Sequence, residues 1–249
     1  NQGGTINIGN TLATLFEGND NNTISFCDIR DRSDVIGTSG IAIMSVGFNA
    51  GTIDQYNHNL TISNNNIHDW FLLNSASQFG ISVGVGTSNY TITGNSFYQT
   101  LPRTNTLSGA ITRAINISFA STVNSNGGFI ITDNFIGGTA PGANGSDWVQ
   151  TVSGVGVSQT MSVIAVTSGL IPNSIQNNTI RKIDFTTNAP AAAASVWIGI
   201  QTVQGVYNIG NIAGNTIGSG SGQDHIKLTI NAGGAVSSFI AGIYFQGGA

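Results

Sequence analysis

The residues best suited to chemistry are a few acidic, basic and aromatic side chains that follow a recurring six-residue motif. Asp31 comes shortly after one copy of the motif, and His68, Asp69 and Trp70 come directly after the next. If successive copies lie side by side, two carboxylates and an imidazole meet beside an aromatic ring. A glycan-cleaving site needs paired carboxylates, and an aromatic ring can hold the sugar. Asp31, Asp69 and His68 are therefore the candidate catalytic residues.

The same three residues also have a simpler interpretation, because charged side chains collect wherever a chain leaves its apolar core. The aromatic residues nearby have two interpretations as well. Trp70 and Trp148 fall between the repeats, and Tyr98 lies in the same column as His68. Rings exposed there would stack on sugars, whereas rings packed locally would only fill space. Trp70, Trp148 and Tyr98 are the candidate binding residues.

The six-residue motif has an apolar residue first, Asn fourth and an apolar residue last, as in ITDNFI at Ile131–Ile136. The copies are irregularly spaced, which indicates a fixed frame that carries loops of variable length. The fourth-position residues are Asn65, Asn95, Asn134, Asn178 and Asn215, and the copy ISFCDI has Cys27 there. We expect Cys27 to be a small buried residue in the same row.

A second recurring four-residue pattern lies between the copies of the six-residue motif, and it alternates like a short strand. Its six occurrences are Gly40–Ile43, Gly80–Val83, Ala114–Ile117, Val163–Val166, Trp197–Ile200 and Gly242–Phe245. No window has a sustained helical period, and 34 glycines interrupt the chain. The fold class predicted is all-β.

Three repeat architectures compete for this pattern. Leucine-rich repeats are shorter and need more leucine, whereas a six-bladed β-propeller has a period close to the one observed. The third architecture winds each repeat once around an axis, so that identical residues stack at the spacing of neighbouring strands. Asn in the turn then takes the left-handed conformation, and its amide bonds the next turn. This solenoid explains the recurring Asn, and the propeller stays as the alternative.

The I-x-x-N-x-I and G-I-x-I patterns resemble the right-handed parallel β-helix proteins of the pectate-lyase-like superfamily. The resemblance covers nearly the whole chain, so residues 1–249 are expected to form a single right-handed parallel β-helix of about six coils. Right-handed crossovers are also the strong preference between parallel strands. The resemblance is specific for fold and carries little about function.

The resemblance carries over no catalytic residue. Polygalacturonase-like sites have N-T-D, D-D and G-H-G strings, which are absent, and His225-Ile226-Lys227 comes without the acids that should accompany it. A pectate-lyase-like site needs a calcium-binding group of carboxylates, which the scattered Asp residues do not form. No metal and no cofactor are predicted.

Composition narrows the possible partners. Apolar residues make up 40% of the 249 residues, but charged residues make up only 7%, against roughly 25% in typical domains. Seven Lys and Arg leave no basic stripe, so nucleic acid is not expected as a partner. Apolar runs are too short for membrane insertion. Asn-x-Ser/Thr sequons are expected by chance in such a chain, at Asn21, Asn59, Asn89, Asn116, Asn144 and Asn177.

These observations lead to two functional hypotheses. The first is a non-catalytic segment of a secreted or cell-surface bacterial protein, an adhesin, stalk or passenger region, whose partner is a glycan or another surface or secretion-related protein. The alternative is a carbohydrate-active enzyme, a polysaccharide lyase or glycoside hydrolase, acting through Asp31, His68 and Asp69. Because the repeat is under way at Thr5–Ile8 and continues to Gly242–Gly248, flanking coils or caps are expected.

Overall fold

The computed structural model describes residues 4–9, 18–31, 40–47, 55–118, 126–188, 194–219, 225–231 and 238–246. Within these ranges the chain forms strands and turns, with no α-helix. The described residues therefore contain no helix with the length and hydropathy that a membrane span requires.

Each repeat begins with a strand of four to ten residues and continues through shorter ones. The first repeat contains β1 (Ile6–Gly9), β2 (Thr23–Ser25) and β3 (Asp28–Arg30). The second contains β4 (Ile41–Val46), β5 (Asn57–His58), β6 (Thr61–Ser63) and β7 (Asn66–His68). The third contains β8 (Ser77–Val83), β9 (Thr87–Ser88), β10 (Thr91–Thr93), β11 (Ser96–Tyr98) and β12 (Arg103–Asn105).

The remaining repeats follow the same order. The fourth contains β13 (Ala110–Ile117), β14 (Ile130–Thr132), β15 (Phe135–Ile136) and β16 (Trp148–Val152). The fifth contains β17 (Gln159–Thr167), β18 (Asn173–Gln176), β19 (Thr179–Ile180) and β20 (Ile183–Asn188). The sixth contains β21 (Ala194–Val203), β22 (Tyr207–Ile209), β23 (Thr216–Ile217) and β24 (Ile226–Asn231), and β25 (Ser238–Gln246) follows it.

Each strand pairs with its counterparts in the neighbouring repeats, and every pairing between these strands is parallel. The sheets run β1-β4-β8-β13-β17-β21-β25, β2-β6-β10-β14-β18-β22, β3-β7-β11-β15-β19-β23, β12-β16-β20-β24 and β5-β9. The all-β prediction is confirmed, and the topology is consistent with a β-solenoid. Propeller blades are antiparallel, so the propeller alternative does not fit.

Apolar residues stack in columns inside these sheets because alternate side chains of a strand point to the same face. Each buried Ile contributes about 1.5 to 3 kcal/mol relative to an exposed one. One column is Ile43, Ile81, Ile115, Ile164 and Ile200. A second is Ile24, Ile62, Ile92, Ile131, Ile175 and Ile209. A third is Ile29, Ile67, Phe97, Ile136, Ile180 and Ile217.

The last copy of the motif has a different frame from the one expected. The sequence suggests IAGNTI, with Ile212 as its first apolar residue, but Ile212 is 85% exposed. Ile209 instead pairs with Ile175 in the column. Two isoleucines of equal hydrophobicity compete for one position here, and pairing with the preceding strand selects between them.

The left-handed turn residue also differs from the expectation. The five motif asparagines do not have positive φ. In most repeats the residue before the asparagine has it instead, so that residue makes the left-handed turn and the asparagine side chain bonds the neighbouring repeat. These turn residues are Phe26, Asn64, Gly94, Asp133 and Asn177, with φ of 56°, 56°, 66°, 58° and 50°.

Cys27 was expected to be buried, and it is exposed. Its backbone keeps the row, because the Cys27 N–H donates to Asn65 Oδ1 at 2.9 Å. Its thiol donates to the Ser25 carbonyl at 3.2 Å. Among the described residues no motif of an earlier repeat stacks on Cys27, so its side chain lies at the open end of the row.

Candidate functional site

The motif asparagines form a continuous hydrogen-bonded row, here called the asparagine ladder: Asn65, Asn95, Asn134, Asn178 and Asn215. The side-chain amides of the first four each donate to the Oδ1 atom of the next, at 2.9, 3.1, 3.0 and 2.9 Å. The same amides also donate to backbone carbonyls of a neighbouring repeat, as Asn134 does to Ile92 at 2.9 Å. The row is saturated, so its role is to join repeats and it offers no group to a ligand.

The charged candidates lie on the outer face of the sheet that contains β3, β7 and β11. Because Ile29 and Ile67 point inward, their neighbours point outward, and Arg30, His68 and Tyr98 fall into one register. The His68 ring stacks on Tyr98 with a centroid distance of 4.5 Å and an angle of 10° between ring planes.

His68 is held between two carboxylates. Its Nδ1 atom lies 2.8 Å from Asp69 Oδ2, and its Nε2 atom lies 2.7 Å from Asp28 Oδ1. The sequence pointed to Asp31 for the second carboxylate, but Asp31 lies just after β3 and is half-buried. Asp28 precedes Arg30 by two residues and so shares its outer face. Strand alternation was the signal that could have identified it.

Asp69 is buried inside a network of donors. Thr100 donates to Oδ1 from its backbone N–H and its hydroxyl, both at 3.0 Å. The buried Arg103 guanidinium donates to the same oxygen at 2.5 Å and to Gln99 Oε1 at 2.9 Å. Burial alone would raise the pKa of Asp69, but hydrogen bonds from His68 and Thr100 and the charge of Arg103 hold it below its ordinary value. The carboxylate is therefore ionised at neutral pH.

The aromatic candidates do not form an open platform for a sugar. Trp70 and Trp148 are each only 1% exposed and belong to the apolar core. Their rings meet edge to face at 5.5 Å, because packing two indoles together removes more apolar surface from water than leaving them in loops. Tyr98 is also buried, and burial together with Asp28 and Asp69 raises its pKa to about 12. The burial of all three rings matches the local-packing interpretation.

The cluster orients the His68 imidazole, but neither ring nitrogen of His68 is left open to a substrate. Both His68 nitrogens are bonded to carboxylates, and Asp69 is saturated by Thr100 and Arg103. Asp28, whose side chain is 57% exposed, faces solvent together with Arg30, whose Nε atom lies 3.8 Å from Asp28 Oδ2. A substrate would have to displace Asp28 before His68 Nε2 could exchange a proton with it.

Elsewhere in the described chain a second histidine lies beside a carboxylate, with His58 Nδ1 3.0 Å from Asp20 Oδ1. No group of three or more His, Cys, Asp or Glu side chains within the described ranges is placed to hold a metal ion. Lys227, two residues after His225, donates to Asp184 Oδ2 at 2.8 Å on the surface. A cavity of about 450 Å³ lies beside β1 and β2, and its lining includes Ile6, Asn19 and Leu60 and no charged residue.

Sequence reasoning missed a second polar interior, a buried amide network between the long strands and the β12-β16-β20 sheet. Gln78 donates to Asn105 Oδ1 at 2.5 Å, and Asn105 donates to Gln159 Oε1. Gln150 donates to the same Gln159 oxygen at 3.0 Å and to the Thr112 hydroxyl at 2.6 Å. The amides satisfy one another, so the network stabilises the interior.

Comparison with known proteins gives no match among family models, curated proteins or solved structures.

Proposed function

We propose that the chain is a right-handed parallel β-helix that serves as a non-catalytic, rigid segment of a secreted or cell-surface bacterial protein, an adhesin, stalk or passenger region. The observation that carries this proposal is the uninterrupted asparagine ladder from Asn65 to Asn215, whose atoms are spent on holding repeats together. A row of this kind suits a spacer that keeps its shape over many repeats.

The state of the charged cluster supports a structural role. The side chains of Asp69 and Arg103 are 0% and 1% exposed and form an ion pair, so the two charges neutralise each other inside the fold. A catalytic carboxylate would need a free oxygen directed at a substrate. The cluster instead joins the turn after β7 to the segment before β12.

Composition supports the location and partners proposed. Only 7% of residues are charged, so the surface consists largely of Asn, Ser, Thr and Gly. Such a surface suits an extracellular repeat that meets a glycan or another surface or secretion-related protein.

A second candidate function is a polysaccharide lyase or glycoside hydrolase. One observation favours it: the exposed Asp28 carboxylate lies 2.7 Å from His68 Nε2, and Asp69 orients the opposite ring nitrogen. Asp28 and His68 would then be the acid and base, and Asp31 would lie beside them. The proton-transfer step would require Asp28 to release His68.

A depolymerisation screen separates the two candidates. The protein is incubated with polyuronates and neutral glycans, with and without calcium, and reducing ends and unsaturated products are measured. We expect no turnover. Turnover that disappears in Asp28→Asn but persists in the surface control Asp184→Asn, with both variants folded, would replace the structural role by the enzyme.

A further inference from the structure

One outer face of the described coil carries two hydroxyl-rich rows side by side. On the β2-β6-β10-β14-β18-β22 sheet, two outward rows run from repeat to repeat. The first is Thr23, Thr61, Thr91, Ile130, Ser174 and Asn208; the second is Ser25, Ser63, Thr93, Thr132 and Gln176. We call the first four repeats of these rows the hydroxyl face: Thr23, Ser25, Thr61, Ser63, Thr91, Thr93, Ile130 and Thr132.

The spacing of the hydroxyl face is fixed by the backbone. Its four strands are all three residues long and pair in register, so rows repeat about every 4.8 Å between strands and about every 6.7 Å along each strand. Left-handed residues bound each strand on both sides: before it Asn21, Asn59, Asn89 and Gly128, and after it Phe26, Asn64, Gly94 and Asp133. Repeat length varies elsewhere in the coil, while this face keeps one geometry.

The side chains of the face exclude several kinds of partner. No row position carries a charge, so the rows offer nothing specific to a polyanion or polycation. No row position is aromatic, which removes the usual platform for a sugar ring. Ile130, 44% exposed, is the single large apolar residue in the rows, too little for the core of a protein interface.

Seven of the eight positions instead carry a hydroxyl, and all seven are exposed or half-buried. Within the second row, the Thr93 and Thr132 hydroxyls are hydrogen bonded to each other at 3.0 Å, so hydroxyls of neighbouring strands come within hydrogen-bond distance there. A hydroxyl both donates and accepts hydrogen bonds. Binding a water molecule costs little entropy when the hydroxyl and the water are already ordered. A periodic and rigid array matches a partner that is itself periodic.

We propose that the hydroxyl face binds the surface of an ice crystal. Oxygen rows in hexagonal ice repeat at distances close to the spacing of neighbouring strands and of alternate residues along a strand. Threonine hydroxyls join the ordered water layer while the methyl groups fit between its oxygens. Because the ladder and the isoleucine columns hold the strands rigidly, little freedom is lost on binding.

The same geometry explains three of the sequons. Asn21, Asn59 and Asn89 each precede a face strand, giving N-x-T-I-S or N-x-T-I-T. Asn59 Nδ2 donates to Asn21 Oδ1 at 3.3 Å, so the asparagines form a third row along the edge of the face. These three sequons therefore recur because the strands of the hydroxyl face recur.

This inference goes beyond the scaffold role and needs only the regular strands described here, so a catalytic activity found in the screen would leave it standing. The test compares wild type with Thr91→Tyr, which places a large ring at the centre of the face, and Thr91→Ser, which keeps the hydroxyl. Thr61→Tyr is the second disrupting variant. Ice-affinity partitioning and the gap between melting and freezing of a single crystal are measured, and circular dichroism verifies the folded state.

Thr186→Tyr is the matched control. Thr186 is also an outward, half-buried threonine and is in register with Thr229, but the adjacent outward row of its sheet is charged, because Asp184 pairs there with Lys227. We expect wild type, Thr91→Ser and Thr186→Tyr to enter ice and show a gap, and both face tyrosine variants to lose most of it. Albumin, which has no affinity for ice, is the negative control. The inference is overturned if wild type partitions into ice no more than albumin, or if Thr186→Tyr loses as much ice binding as Thr91→Tyr. It is also overturned if the face binds crystalline cellulose or chitin and not ice.

Discussion

At the residue scale, the asparagine ladder joins successive repeats through hydrogen bonds between buried side-chain amides. Asn134 is fully buried, accepts from the Asn95 backbone and side chain at 3.1 Å each, and donates to Asn178. Removing its amide leaves these groups buried without partners.

We therefore expect Asn134→Ala to lower the free energy of unfolding by about 1 to 3 kcal/mol. Asn144 is exposed, and Asn144→Ala should change it by less than about 0.5 kcal/mol. Urea denaturation of both variants measures the difference. Equal losses at the two positions would mean that the ladder bonds contribute nothing beyond those of a surface amide.

Asp69 gives a second residue-scale prediction. Replacing it with Asn leaves the Arg103 guanidinium buried without its counter-charge, which costs about 3 to 5 kcal/mol. Asp184→Asn removes the exposed Lys227 pair and should shift the melting temperature little, because solvent screens that pair. Thermal melts at pH 7 compare the two.

The pH dependence of Asp69 has a defined sign. Its folded-state pKa lies below its ordinary value of 3.8, so its ionised form stabilises the fold fully above that pH. The stabilisation is lost as the pH falls from there through the lower folded-state pKa. Wild type should therefore lose stability on acidification below about pH 4 more steeply than Asp69→Asn. Parallel curves for the two proteins would show that Asp69 titrates normally in the fold.

At the element scale, the turn inside each motif requires a left-handed residue, and the first repeat meets that requirement poorly. Phe26 has φ of 56° and is 82% exposed, whereas the equivalent positions hold Asn64, Gly94, Asp133 and Asn177. The left-handed conformation costs a bulky residue about 1 to 2 kcal/mol, and Asn tolerates it better.

Phe26→Asn should accordingly raise the free energy of unfolding by about 1 kcal/mol. The reciprocal change, Asn64→Phe, places the aromatic residue in the next repeat and should lower it by a similar amount. Differential scanning calorimetry on both variants is the measurement. A destabilised Phe26→Asn protein would indicate that the phenyl ring makes a stabilising contact that outweighs its backbone conformation.

At the scale of the whole molecule, β25 pairs with β21 on one side only among the described strands. Its side chains Ile243 and Phe245 are 44% and 63% exposed, although they are in register with inward positions of β21. An apolar strand with an open edge is a template for pairing with another chain.

We expect the purified protein to self-associate through this edge at micromolar concentration. Phe245→Lys places a charge where a further strand would stack and should shift sedimentation toward monomer. Thr229→Lys, an outward position of β24, is the control and should leave association unchanged. A monomeric wild type would mean that the β25 edge is covered.

Most of the architecture was predictable because stacking makes identical residues neighbours. The Asn and Ile positions of ITDNFI, repeated along the chain, favoured parallel pairing of successive repeats, and the registers of β10, β14 and β18 agree with it. Local periodicity reports backbone pairing well, since each strand repeats the same environment.

The candidate site was predictable only in part. Adjacency of His68 and Asp69 is fixed by the chain, and the register of His68 with Tyr98 followed from the motif. Asp28 in place of Asp31, and Arg103 reaching Asp69 from 34 residues away, depended on how the outer turns fold back.

The sequence by itself determined the strand class, the parallel stacking and the ladder, because these arise from patterns repeated in every turn. Only the tertiary structure decided which of Ile209 and Ile212 enters the column, that Trp70 and Trp148 face each other in the core, and that the Asp69 charge is neutralised internally. Each of these is settled by competition for a single buried position, and that competition involves residues distant in sequence whose side chains carry no repeating signal.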